Sequence, residues 1–406
     1  MGVAGRHARL RPETRVRHDA AAPLRPRIVH VAAELSPASG STYTTVPRLC
    51  SLLESAGFEV DLLCTGDPQA PATYGLRNGF AAACFPRSRW GSALGWSPAL
   101  DRELRRLAPT ADIFHVHGLW RLATVTALRM ARRRGVRTIV SPLGSLAPAA
   151  LGVSPARKQA FWALFGGSFK SLACYHATSQ VEHDQMRAFG IREPIAVIPL
   201  GVDIPGRTSW RPAPPGRREV LFMGRITPIK NLLSLVAAWQ SVQSDFPDAR
   251  LRIVGPDDRG FVQRLRRAIG DSGATGISVD QEVTGAARDR AYQAADVVIL
   301  PSLSESFGLV VAEGLAAGRP VIATTGSPWQ VLHTRGCGWW IEPTVEGLAG
   351  AIRQALDLPS ASLADMGARG FQLAEREFGW APAADKFIAA YQWVLGGGQA
   401  PAFIST

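Results

Sequence analysis

Val297 to Thr324 reads VVILPSLSESFGLVVAEGLAAGRPVIAT. The apolar run Val297–Leu300 is too short for a helix and is bounded by Pro301, the pattern of a buried parallel strand. Ser302 to Ser306 is a polar loop, and Phe307 to Ala317 has a helix-like pattern that Gly318 and Pro320 stop. Val321 to Ala323 then starts another strand. A helix N-terminus is thereby aimed out of the C-terminal end of a strand, where open α/β sheets bind their ligands. The expected fold class is α/β with doubly wound parallel sheets.

Two carboxylates mark the segment, Glu305 in the loop and Glu313 inside the helix. Between them, Ser306, Phe307, Gly308 and Leu309 supply the first free backbone N–H groups of the helix. Those groups suit a phosphate, while a carboxylate suits sugar hydroxyls. Spacing alone leaves a second reading open, in which Glu305 is a capping acid and Glu313 a surface residue.

The same strand–loop–helix pattern recurs outward in both directions. Glu219 to Met223 is a strand, and Gly224–Arg225–Ile226–Thr227–Pro228–Ile229–Lys230–Asn231 is its exit loop. The planar fork of Arg225 and the point charge of Lys230 suit a phosphate there, although both also suit an ordinary solvated surface. Leu251 to Val254 runs into the turn Gly255–Pro256–Asp257. Upstream, Ile204 to Arg218 holds Pro205, Pro212, Pro214 and Pro215 and reads as a linker.

The first half starts with a strand at Arg27–Ala32, a Gly/Ser/Thr-rich loop, a helix to about Ala56, and a strand at Glu59–Cys64. Asp112 to His117 is a third strand, with His115 and His117 on one face of it. Such a pair offers two metal ligands, but no third is evident nearby, so the ordinary reading is core histidine. His117 differs in ending its strand, where side chains reach the crevice. A chain of 406 residues suits two cores better than one. The expected organisation is a basic tail at 1–26, a Rossmann-like domain at 27–203, the linker 204–218, a second such domain at 219–381, a helix at about 382–396 and a tail at 397–406.

Composition excludes several classes. With 46% hydrophobic and 19% charged residues the chain reads as soluble and globular. No apolar run approaches the roughly 18 residues of a membrane span. The Arg-rich stretch Met1 to Arg27 lacks the apolar core of a secretory signal. Five cysteines without a CxxC fit a reducing cytoplasm. Charge is divided unevenly: residues 1–200 hold 25 Lys and Arg against 13 Asp and Glu, whereas residues 201–406 hold 20 of each. The whole excess of +12 lies in the first half, which points to an acidic partner. Arg157–Lys158, then Phe161, Trp162, Leu164, Phe165, Phe169 and Lys170, read either as a membrane-surface element or as a helix packed on its own domain.

SESFGLVVAEGLAAGRPVIAT, Ser304 to Thr324, resembles the Glu-x7-Glu signature of the retaining glycosyltransferases of family 4, which have the GT-B fold. GRITPIKN at Gly224–Asn231 resembles that family's diphosphate-binding loop, and Leu200–Gly201–Val202–Asp203 resembles its hinge, with Leu200 in place of an asparagine. HGLW at His117–Trp120, with Gly326–Trp329 and Gly336–Trp340, resembles members that act in bacterial surface-polysaccharide assembly. The resemblance spans about residues 27–396.

The resemblance implies two Rossmann-like domains facing a central cleft, with the last helix crossing back onto the first domain. It also implies transfer of a sugar, with retention, from a nucleotide-diphosphate donor. In that reading Arg225 and Lys230 neutralise the leaving diphosphate, and Gly224 and the N–H groups at Ser306, Phe307, Gly308 and Leu309 approach the donor. Glu305 holds donor-sugar hydroxyls, Glu313 the ribose, and His117 stands beside the donor sugar from the other domain. Gly40 takes the second place of a glycine-rich loop whose first place is Ser39. Leu143 stands where relatives often carry a histidine, which removes one acid–base group from the first domain.

No metal and no cofactor beyond the nucleotide-sugar co-substrate is expected. The acceptor is expected to be a lipid-linked saccharide of polysaccharide or lipopolysaccharide synthesis at an anionic, cytoplasmic membrane face, without nucleic acid. Two rivals stand beside this reading. A sugar-nucleotide epimerase of the same fold needs base residues that are not found. A non-catalytic membrane- or nucleic-acid-binding protein accounts for the charge but not for Arg225, Lys230, Glu305 and Glu313 together. The identity of the nucleotide base is not legible, because Asp280 to Ala287 departs most from the family pattern.

Overall fold

A computed structural model describes residues 25–36, 40–66, 80–88, 94–205, 218–258 and 260–406. The first half supplies β1 (Arg27–Ala32), β2 (Glu59–Thr65), β3 (Ala83–Phe85), β4 (Ile113–His117), β5 (Arg137–Ser141), β6 (Cys174–Ala177) and β7 (Ile195–Val197). The second supplies β8 (Glu219–Met223), β9 (Arg250–Val254), β10 (Ile277–Asp280), β11 (Val297–Leu300), β12 (Val321–Thr324) and β13 (Gly338–Ile341), and β14 (Ile404–Ser405) closes the chain. One sheet runs β14-β7-β6-β5-β4-β1-β2-β3 and the other β10-β9-β8-β11-β12-β13. Every strand of β4, β6, β11 and β12 is buried along its whole length, as parallel strands covered on both faces must be.

Three sequence expectations change here. The last ten residues are not all a tail: β14 pairs antiparallel with β7, Ile404 opposite Ala196, and caps the edge of the first sheet. The helix after β11 begins at Leu309 rather than Phe307, because Gly308 takes φ 82°, a left-handed conformation that interrupts the helical turn. The cysteines are not all free thiols, since Cys64 and Cys84 are joined between β2 and β3. Parallel pairing puts those two residues in register, a proximity that counting cysteines cannot reveal. Residues 1–24 of the expected N-terminal tail and 206–217 of the linker lie outside the described residues.

The helix Trp380–Gly396 crosses back onto the first sheet, where Trp380, Phe387 and Tyr391 pack with Ile28, Ile113 and Ile139. The hinge docks on the start of that helix. The Val202 N–H donates to the Phe378 carbonyl at 2.8 Å, and the Trp380 N–H to the Val202 carbonyl at 3.2 Å. Gly201 lies so close to the Trp380 ring that a Cβ there would overlap it.

The basic–aromatic segment forms the helix Pro155–Phe165. Its rings mostly face their own domain: Trp162 stacks on Phe169 at 5.5 Å and meets Phe189 edge-on at 4.8 Å. Leu164, 71% exposed, and Val153, 61% exposed, remain on the outside beside exposed Arg157 and Lys170. Among the described residues no helix is long and apolar enough to cross a membrane.

Candidate active site

The C-terminal ends of both sheets open onto a cleft of about 910 Å³. Gly40 from the first half and Gly224, Arg225, Lys230, Glu305, Ser306, Phe307, Gly308, Leu309 and Glu313 from the second all line it. Residues up to 273 positions apart in sequence therefore meet, and of the residues given a role at the donor sugar or diphosphate His117 does not line the cleft.

The β8 exit loop is shaped by close backbone approach. The Gly224 N–H donates to the Val254 carbonyl at 3.0 Å, and a Cβ on Gly255 would overlap the Gly224 carbonyl. Pro228–Lys230 form one tight helical turn, and Asn231 ends it at φ 57°, a left-handed conformation that asparagine tolerates. The Leu303 N–H reaches the Ile229 carbonyl at 2.9 Å, tying this loop to the one after β11. Across that junction the Lys230 ammonium pairs with Glu305 Oε1, which also accepts from Ser302 Oγ at 2.6 Å. Glu305 thus bonds side chains at the cleft rather than capping the helix.

Glu313 is not a surface residue. Its side chain is 13% exposed; Arg288 pairs with Oε1, and the Tyr292 hydroxyl donates to Oε2 at 2.7 Å. Burial lowers the Arg288 pKa, but Glu313 and Tyr292 outweigh burial and hold it above the ordinary value. Burial, together with Glu313, pushes the Tyr292 hydroxyl well above its usual range. Sequence reasoning did not single out this pair. The available signal was their spacing, since residues four apart on the helix Gly285–Ala294 share a face.

The opposite wall is built differently. Gly40 precedes the helix Ser41–Ser55 with φ 64° and ψ −135°, a conformation open mainly to glycine, and its Cβ position lies 3.8 Å from Arg225 Nε. The neighbouring loop residues Pro37 to Ser39 lie outside the described residues. Leu143, in the place of the family's histidine, lines the cleft with φ 53°.

His117 sits behind this wall, 5% exposed, with Nε2 3.0 Å from Nδ1 of His30. His30, His115 and His117 offer nitrogens within 4.8 Å of one another. The third imidazole missing from the sequence reading is therefore His30, brought alongside by the β1–β4 register that places it opposite His115. A separate chain of hydrogen bonds runs from Tyr391 through His115 Nδ1 and Nε2 to Ser141 Oγ and on to His176 Nδ1, each 2.7 Å, ending with His176 Nε2 2.8 Å from the Ile198 carbonyl. Burial lowers the His30 pKa to about 3 and the His176 pKa to about 4, and it also drives His115 and His117 well below the ordinary value. These imidazoles are neutral at neutral pH.

Residues 217–357 match the family described as Glycosyl transferases group 1, and residues 40–201 match the Glycosyl transferase 4-like domain. The chain is 27% identical over 372 residues to the phosphatidyl-myo-inositol mannosyltransferase of Mycolicibacterium smegmatis, covering 88% of this chain and 92% of that one. Sucrose-phosphate synthase from Thermosynechococcus elongatus superposes with a TM-score of 0.73 at 21% identity, over 92% of this chain and 100% of that chain. Anabaena HepE in complex with UDP and glucose gives 0.71 at 17% identity, over 89% and 98%.

Proposed function

We infer the function from membership: the chain belongs to the glycosyl transferases group 1, carries the 4-like domain in its first half, and has the GT-B fold. It is a glycosyltransferase. Beyond that, we propose that it moves a sugar from a nucleotide-diphosphate donor with retention of anomeric configuration. One observation carries this reading: Arg225, Lys230, Glu305 and Glu313 line a single cleft, with Gly40 of the other domain beside Arg225.

In this mechanism the bond between the sugar and the diphosphate breaks and negative charge grows on the leaving phosphate, while an acceptor hydroxyl bonds to the anomeric carbon and passes its proton to that phosphate. Arg225 and Lys230 stabilise that charge, as do the N–H groups from Phe307 to Leu309. Lys230 is held for the task by Glu305, which also accepts donor-sugar hydroxyls. Each oxygen of Glu313 already accepts one hydrogen bond and keeps a lone pair for a ribose hydroxyl. His117 acts from behind the cleft wall by supporting it. Because side chains supply the positive charge, the reaction needs no metal, and activity should survive a chelator.

The acceptor in this proposal is a lipid-linked saccharide, reached at the cytoplasmic face of a membrane. Support comes from Val153 and Leu164, exposed apolar residues beside Arg157 and Lys170, with Val153 itself at the cleft. The name of the relative from Mycolicibacterium smegmatis, a phosphatidyl-myo-inositol mannosyltransferase, supports a lipid acceptor. We assign the +12 excess to anionic lipid rather than nucleic acid.

The test is thermal stabilisation by UDP, GDP, ADP and their sugar conjugates, followed by NMR assignment of the product's anomeric centre. A selective shift and an α-configured product from an α-configured donor are expected. No shift with any nucleotide from folded protein would overturn the donor site; an inverted product would overturn retention.

A further inference from the structure

We infer that Glu182 is a positioning residue that latches the first domain onto the donor loop of the second, through Thr178, Ser179 and Gly144. The inference rests on the reading of the cleft as a nucleotide-sugar site.

Glu182 lies in the first turn of the helix Gln180–Phe189, whose N-terminus is capped by Ser179 Oγ accepting from the Glu182 N–H at 3.1 Å. Ser179-x-x-Glu182 has the spacing of a capping box, in which the acid returns to the N–H of the capping residue. Here it does something else. It is 1% exposed, and its Oε2 accepts from the Thr178 N–H at 2.7 Å and the Thr178 hydroxyl at 2.6 Å, while its Oε1 accepts from the Gly144 N–H at 2.6 Å. Burial pushes this carboxyl up, and the bonds from Thr178 and Gly144 pull it back. A buried carboxylate is costly unless such bonds replace its water, so its retention calls for a use.

The residues it organises are those that touch the other domain. Ser179 Oγ donates to the Ser306 carbonyl at 2.7 Å, and Thr178 Oγ1 lies 3.3 Å from the same oxygen. Gly144, at φ 79°, approaches so closely that a Cβ would sit 3.1 Å from Ser306 Cβ and Oγ. One carboxylate therefore fixes both first-domain segments that press on Ser306. In a trans peptide the C=O and the following N–H point in opposite directions. Capturing the Ser306 carbonyl therefore also fixes the Phe307 N–H, one of the groups assigned to the donor phosphate. Closure of the cleft and orientation of that N–H become a single event.

The Ser179 position separates the latch from the helix cap. Aspartate caps a helix about as well as serine, yet it cannot donate to a carbonyl and repels it, whereas threonine keeps both functions. Nitroxides on Arg133→Cys and Glu346→Cys, both exposed positions, report the interdomain distance without any ligand. Ser179→Asp and Glu182→Gln should shift the distance distribution outward, Ser179→Thr should not, and Ser179→Asp should melt within a few degrees of wild type. With donor and acceptor, Ser179→Asp should lower kcat about tenfold, the scale of one lost and opposed hydrogen bond, with Ser179→Thr restoring it. Identical distance distributions in all variants would overturn the latch, and if Glu182→Gln fails to fold the Ser179 pair decides. Wild-type protein that binds no nucleotide diphosphate would overturn the donor reading instead, while the ligand-free distances still judge the latch.

Discussion

The two walls of the cleft carry polar groups in opposite ways. On the second domain charged side chains stand at the cleft itself, and two of its carboxylates are matched by cations: Glu305 by Lys230, Glu313 by Arg288. The first domain brings the Arg48–Asp203 pair to the cleft, at 3.3 Å, and sets a larger polar group behind the surface: four neutral imidazoles and one carboxylate that is held by hydrogen bonds. The first arrangement places charge where a ligand's charge must be answered. The buried groups of the first domain give up charge and instead fix backbone shape and the docking of a helix.

The sharpest way to break this contrast is Lys230→Ala. Removing a preorganised cation from the leaving group should lower kcat/KM by about 10²–10³-fold, measured with the donor identified by thermal shift. A loss under tenfold would move the catalytic charge elsewhere.

Acid should strike the other wall. The His30 and His176 pKa values fall in the folded state to about 3 and about 4, against 6.5 in the unfolded chain. Below pH 6.5 the unfolded state binds more protons, so stability is intact above that pH and drains as pH falls towards the folded values. By pH 5 the loss should be about 2 kcal/mol for each of these two histidines. Urea titrations from pH 7 to pH 5 read it directly, and His176→Asn should flatten the slope. A flat profile would show that these imidazoles are not buried neutral.

Glu313→Gln sharpens the contrast within the charged wall. It keeps the shape but removes the charge partner of Arg288, so the donor KM should rise about tenfold while kcat changes less. An equal fall in kcat would place Glu313 nearer the reacting bond. The smallest expected effect belongs to Leu164→Ser, which should change stability by less than about 0.5 kcal/mol yet weaken binding to anionic vesicles. Unchanged flotation would remove that surface from the acceptor proposal.

The charged wall was the legible one. Arg225, Lys230, Glu305 and Glu313 sit in loops and a helix whose strands announce themselves as apolar runs, so local pattern placed them at strand exits. The same rule puts His117 at the crevice, yet it is buried, with its Nε2 3.0 Å from Nδ1 of His30, a partner from a distant segment. Arg288, Tyr292 and Glu182 passed unnoticed because each gains its meaning from a partner 21 or more residues away, or from a loop such as that of Gly144.

The sequence alone determined what depends on neighbouring residues: the α/β alternation, the two-domain division, the strand at Val297–Leu300 and the helix that follows it, because apolar period, glycine and proline act over a few positions. Tertiary structure alone decided which charges are paired, that β14 returns to the first sheet, that Cys64 meets Cys84, and that Ser179 reaches Ser306. Those contacts exist only once two sheets and a returning helix have been folded against each other, and no local periodicity encodes the partner at the far end.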